Sequence, residues 1–143
     1  MNSISAKQIR ESVAHICKKY GDTYWRALDK EKKYPSEFVK EMTDSGFLNV
    51  LIPEEFGGSG LGLIDACAVL EEISLNGAHA GACHAQMYVM GSVLRHGTKE
   101  QKEKFLPKIS AGKLRLQSFA VTEPNSGTDT TNIETFARKT NSG

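Results

Sequence analysis

The segment Phe119-Ala120-Val121-Thr122-Glu123-Pro124-Asn125-Ser126-Gly127-Thr128-Asp129 (F-A-V-T-E-P-N-S-G-T-D) decides how this chain is read. It opens as part of an extended run. Leu114, Leu116, Ser118, Ala120 and Thr122 alternate with Arg115, Gln117, Phe119 and Val121, so both faces are mixed. Pro124 has no N–H to give a sheet, so a strand must end there or lie at an edge. Asn125 to Asp129 is a cluster of turn formers, and Gly127 allows close approach to the backbone. Small hydroxyls beside exposed amides suit phosphate oxygens. The same composition also serves an ordinary strand-exit turn, and both readings stay open on composition.

Around this segment the chain reads as helical. Ile9, Val13, Ile16 and Cys17 recur at helical spacing, which predicts a first helix from a Ser5 cap to about Tyr20, stopped by Gly21. Asp22 can cap the next helix, which holds Tyr24, Trp25 and Leu28 and ends in the solvated charged run Asp29 to Lys33. Pro35 opens a short helix carrying Phe38, Val39 and Met42, closed by Gly46. Residues 47–52 form an apolar run that Pro53 terminates, read here as a buried extended connection. Gly57, Gly58, Gly60 and Gly62 follow without a P-loop or dinucleotide fingerprint, which favours a structural turn. Ile64, Cys67, Ala68, Leu70 and Ile73 predict a helix to about Asn76, with Gly77 beyond its end. Residues 78–96 predict a central helix rich in Ala and Gly, with His84 and Tyr88 on one face at i and i+4. Thr98 can cap the helix that follows, with Gly112 as its break.

The expected fold is thus mainly α: an all-helical domain over residues 1–112, then the first strands of a β-domain over 113–143, with Ile133–Lys139 as the second strand. Two strands alone are marginal and leave open edges. The sequence stops inside a sheet, so the expectation is a fragment of a longer protein, with exposed edges prone to self-association.

Composition narrows the function classes. With 18 Lys and Arg against 17 Asp and Glu, the net charge is +1 and no basic stripe emerges, which excludes a nucleic-acid footprint. No apolar run reaches membrane-spanning length. The N-terminus has neither a secretory core nor a transit pattern, so the expected location is cytoplasmic. Cys17, Cys67 and Cys83 form no C-x-x-C pair and read as reduced, buried thiols. His79, Cys83 and His84 do not share a helix face, and no metal site is expected.

The motif resembles the T-E-P-x-x-G-S/T-D signature of the acyl-CoA dehydrogenase family. Two others accompany it. Ile52-Pro53-Glu54-Glu55-Phe56-Gly57-Gly58 resembles that family's P-E-E-x-G-G turn. Gly97-Thr98-Lys99-Glu100-Gln101-Lys102, followed by Phe105-Leu106-Pro107, resembles its G-T-x-E-Q-K…Y-L-P segment. The three stand in the family's order and carry the resemblance across essentially the whole chain.

The resemblance implies an acyl-CoA dehydrogenase-like helical bundle leading into a β-barrel-like domain. It implies FAD as cofactor and removal of hydrogens from Cα and Cβ of an acyl-CoA thioester to give the enoyl-CoA. It further implies electron-transfer flavoprotein or a similar acceptor as partner, and a dimer or tetramer of the full-length protein. Carried over by position, Phe119, Val121 and Thr122 would lie against the flavin, and Gly127 and Thr128 would meet the FAD pyrophosphate and the pantetheine arm. Position 128 is more often Ser in the family; Thr keeps the hydroxyl and adds a methyl. His84 and Tyr88 could line the acyl pocket, or serve packing alone. Glu123 and Asp129 belong to the motif, yet fit equally as a strand-end acid and a turn acid. The family's base is a Glu of its C-terminal helical domain, and no residue here matches it, so no catalytic residue is assigned and the isolated chain is expected to be inactive. Two other readings are left open: a non-enzymatic helical interaction or CoA-binding module, and a flavin oxidase or monooxygenase of the same fold.

Overall fold

The computed structural model of the protein describes residues 6–141. Six helices form it: α1 (Ala6–Cys17), α2 (Asp22–Glu31), α3 (Ser36–Asp44), α4 (Leu63–Leu75), α5 (Gly81–His96) and α6 (Lys99–Ser110). Single 3-10 turns lie at Glu54–Phe56 and Thr130–Asn132. The expected Ser5 cap lies outside the described residues.

Two apolar clusters hold the helices. The larger joins Ile9, Val13, Ile16 and Cys17 of α1 to Phe38, Val39 and Met42 of α3 and to Ala66, Val69 and Ile73 of α4. On α1 and α3 the buried residues fall at the three- and four-residue spacings that place them on one stripe. Tyr20, Tyr24, Trp25 and Phe38 add edge-to-face ring contacts at centroid distances of 4.9 to 5.4 Å. The second cluster is Ile52, Met90, Leu106 and Ile109, with Leu114 and Leu116 packed on it from beyond α6.

Residues 47–52 differ from the expected extended connection. They are a succession of turns, closed by the Ile52 amide on the Asn49 carbonyl at 2.9 Å. Burial still alternates: Leu48 and Val50 enter the larger cluster and Ile52 the smaller. The glycine-rich loop then packs against this turn, with Leu61 N–H on Val50 O at 2.7 Å and Gly60 N–H on Ile52 O at 2.8 Å. A Cβ at Gly58 would sit 2.0 Å from the Ile52 carbonyl oxygen, so only glycine fits there. The loop is a packing device.

Helix ends follow local chemistry. Thr98 Oγ1 accepts from Gln101 N–H at 3.2 Å while the Gln101 side chain accepts from Thr98 N–H at 2.8 Å, a complete capping box. Asp22 is not a cap but the first helical residue, where a negative charge complements the helix dipole. Pro35 stands one position before α3. Helix α5 begins at Gly81, three residues later than periodicity predicts. Cys17 and Cys83 are buried as expected, and burial pushes their thiols up to about 11 and about 12. Cys67 is a correction: it is exposed, because α4 carries apolar residues on its outer face as well, where Cys67 lies with the exposed Ile64.

The tail departs most from expectation. Neither 114–122 nor 133–139 joins a ladder among the described residues; the single pairing is a bridge between Glu123 and Ser126. No second segment lies alongside either stretch to pair with its backbone among the described residues. No helix of the described residues is long and apolar enough to cross a membrane.

Two predictions follow from this packing. Gly58→Ala should lower stability by about 2 kcal/mol or more, read from denaturant midpoints, because the new methyl meets backbone. Tyr20 donates to Glu41 Oε2 at 2.8 Å, and Lys19 pairs with the other oxygen. Lys19 and then Tyr20 hold the Glu41 carboxyl below its usual range. A depressed carboxylate stabilises above its unfolded value and loses that contribution as pH falls through the folded one. Tyr20→Phe should therefore cost about 1 kcal/mol at neutral pH, and the difference from the wild type should shrink as pH falls below the ordinary glutamate value of about 4.3.

Candidate functional site

Three of the residues singled out by sequence, His84, Tyr88 and Phe119, meet where the tail crosses α5. Leu114 and Leu116 anchor the tail on the smaller cluster, and Gln117 then fixes its course. The Gln117 side-chain amide donates to the Ala82 carbonyl at 3.0 Å and to Tyr34 Oη at 2.7 Å, joining tail, α5 and the loop before α3. Two residues on, Phe119 stacks on Tyr88 with centroids 5.1 Å apart and planes 12° apart. Tyr88 in turn meets His84 at 4.9 Å. His84, Tyr88 and Phe119 form one continuous ring surface. Phe119 is still 52% exposed and Tyr88 and Val121 each 37%, so the patch faces outward with room for a flat partner.

Beyond the patch the chain folds into a compact polar turn. Glu123 N–H donates to Ser126 O at 2.9 Å and Ser126 N–H returns to Glu123 O at 3.2 Å. The Ser126 hydroxyl, only 3% exposed, donates to the Asp129 carbonyl. Asp129 accepts from Thr131 N–H at 3.2 Å and from the Thr131 and Asn132 side chains. Glu123 reaches across the loop: its two carboxylate oxygens accept from the Glu134 and Thr135 amides, each at 2.9 Å. The Thr135 side chain and these two amides hold the Glu123 carboxyl below the usual carboxylate range.

Other donors in this region stay unused. The amides of Phe119 to Thr122 and of Gly127 to Asp129 make no hydrogen bond within the described residues. A Cβ at Gly127 would meet nothing within 4 Å, so the backbone there is open to approach. Unpaired amides in an exposed run match the acceptor edge of a flat heterocycle, and those after Gly127 match phosphate oxygens. The residues present thus fit a dinucleotide of the FAD type. Val121 and Thr122 are brought beside Phe119 by the chain itself, and Gly127 and Thr128 stand on the turn; Thr128 is exposed with its hydroxyl free.

Sequence reading alone missed Gln117, Tyr34 and Ser126. Gln117 sits in the alternating run, and nothing in that pattern marks a residue whose partners lie 35 and 83 positions away. A hydroxyl one residue before a turn glycine is the signal that could have found Ser126.

Comparison with known proteins shows what the chain is similar to. Residues 4–113 match the family description "Acyl-CoA dehydrogenase, N-terminal domain". The chain is 34% identical over 142 residues to acyl-CoA dehydrogenase FadE12 of Mycobacterium tuberculosis, covering 97% of this chain and 36% of that protein. It is 32% identical over 143 residues to mitochondrial isovaleryl-CoA dehydrogenase of Bos taurus, covering 93% of this chain and 32% of the relative. A crystal structure of an acyl-CoA dehydrogenase complexed with FAD from Bacillus anthracis superposes with a TM-score of 0.79 at 27% identity, over 92% of this chain and 23% of that one. The chain spans about a third of the length of the curated relatives it matches.

If the tail is held by Gln117 and Phe119, releasing both should free it without touching the bundle. Gln117→Ala combined with Phe119→Ala should speed tryptic cleavage at Arg115 several-fold, while helical circular dichroism stays unchanged.

Proposed function

The chain belongs to the acyl-CoA dehydrogenase family, and on that premise we propose that it is the N-terminal part of an FAD-dependent enzyme that converts an acyl-CoA thioester to its 2,3-enoyl-CoA. Residues 1–112 are the helical domain in this reading and 113–143 the beginning of the β-domain. The observation that carries the proposal is the meeting of the T-E-P-N-S-G-T-D turn with the His84–Tyr88–Phe119 surface, with unpaired amides on both sides of Pro124.

Phe119, Val121 and Thr122 would hold the flavin ring, the first by apolar contact and Thr122 by its amide and hydroxyl. Gly127 and Thr128 would take the pyrophosphate, with the Thr128 hydroxyl also reaching toward the pantetheine arm. His84 and Tyr88 would border the acyl chain. Bound FAD would supply the hydride acceptor for the β carbon. The proton on the α carbon needs a carboxylate base; the family's is a Glu of the C-terminal helical domain that no residue here matches, and several acids here are committed elsewhere. Glu71 and Glu72 pair with Arg10, and Glu123 and Asp129 bind backbone. We therefore assign no catalytic base within this chain. Electron-transfer flavoprotein or a similar acceptor would reoxidise the cofactor, and the full-length protein would be a cytoplasmic dimer or tetramer. The free thiols fit a reducing compartment.

FAD titration followed by flavin fluorescence tests the reading. The wild-type chain should bind FAD, and Gly127→Val and Thr128→Val should each weaken binding by about tenfold with an unchanged melting point. No acyl-CoA-dependent dye reduction is expected from the 143-residue chain. Equal FAD affinity in all three proteins, or no binding by the wild type, overturns the assignment.

A further inference from the structure

We propose that Glu123 is a positioning residue whose carboxylate closes the loop of residues 123–135 and thereby sets how the Gly127, Thr128 and Asp129 amides are presented. The inference rests on the reading of this turn as the cofactor-contacting element and assigns to Glu123 a task within it.

The geometry is a fork. Glu123 Oε2 accepts from Glu134 N–H and Oε1 from Thr135 N–H, both at 2.9 Å, so each oxygen serves one of two successive amides. These bonds join residues 11 and 12 positions apart in a segment where no ladder ties the chain together. Between the ends of the fork, the Ser126 hydroxyl and the Asp129 carboxylate fix the interior of the loop. Gly127, Thr128 and Asp129 lie at its crest, and their amides enter none of these bonds. The acids of the motif bind backbone, and the glycine and hydroxyl are left for a ligand.

Only a glutamate suits the fork. Two N–H donors need two acceptor oxygens, each free of hydrogen. Glutamine replaces one oxygen with an NH2 group that would face an N–H. Aspartate keeps both oxygens but is one carbon shorter and withdraws them from both amides. Without the fork the loop samples open forms, and a ligand that binds only the closed one loses affinity in proportion to the closed fraction.

The test uses isotope-labelled chain, with Glu123→Gln and Glu123→Asp. In the wild type the Glu134 and Thr135 amides should resonate downfield in ¹H–¹⁵N spectra. In both variants they should move upfield, and the Gly127, Thr128 and Asp129 amides should shift with them. FAD affinity should fall about fivefold in each variant at an unchanged melting point, because Glu123 lies outside both apolar clusters. Combined with Gly127→Val, Glu123→Gln should add nothing further, since both act on one element. Unmoved amides at 127–129, or wild-type FAD affinity in Glu123→Gln, overturn the proposal. If the wild-type chain fails to bind FAD, the cofactor reading falls, and the spectra alone decide whether the clamp exists.

Discussion

The approach of Gly58 to the Ile52 carbonyl sets the geometry from which the rest of the molecule is built. Residues 48 to 52 are shared between two apolar clusters, and they can serve both only while their backbone turns tightly. The glycine loop grips that turn from outside, at a distance no Cβ would permit. The same loop offers the Gly57 carbonyl to the Ser110 hydroxyl, and Ser110 also accepts from Asn49 at 2.9 Å. Helix α6 is thereby locked at its C-terminal end, where Gly112 in the left-handed region turns the chain back. The direction in which the tail leaves α6, and so its path over α5, follows from this one contact.

Most of the bundle was legible because its signals are local. The stripes of α1 and α3, the Thr98–Gln101 box and the glycine stops each depend on residues within a turn or two. Residues 47–52 show the limit. Their alternating burial is what an extended segment would give, yet a tight turn between two cores gives it as well, and sequence cannot separate the two. Cys67 shows another. On a helix with apolar residues on more than one face, periodicity does not say which face is outermost.

The tail shows a third limit, different in kind. Alternation over 114–122 describes a backbone ready to pair. A ladder also needs a neighbour, and neighbours are set by tertiary structure. The chain instead spends side chains where a sheet would spend backbone: Leu114 and Leu116 on the small cluster, Gln117 on α5, Phe119 on Tyr88. The motif itself was readable as a turn of polar residues. Which of its members face a ligand was not, because Glu123, Ser126 and Asp129 are of the same polar type as Thr122 and Thr128.

The structure separates these roles by asking which groups are already satisfied. A carboxylate that accepts two backbone amides has little left for a substrate proton, and its lowered pKa makes it a weaker base still. Glu71 and Glu72 are likewise tied to Arg10 across the α1–α4 contact. What remains unsatisfied around the Tyr88–Phe119 patch is a set of N–H donors and hydroxyls, together with exposed rings. Such a surface can bind, orient and stabilise negative charge, and no carboxylate belongs to it. The proposed dehydrogenation is therefore divided by chemical type. These residues provide the donor side of the site, and the acidic side has to come from a carboxylate that is not committed to holding the fold.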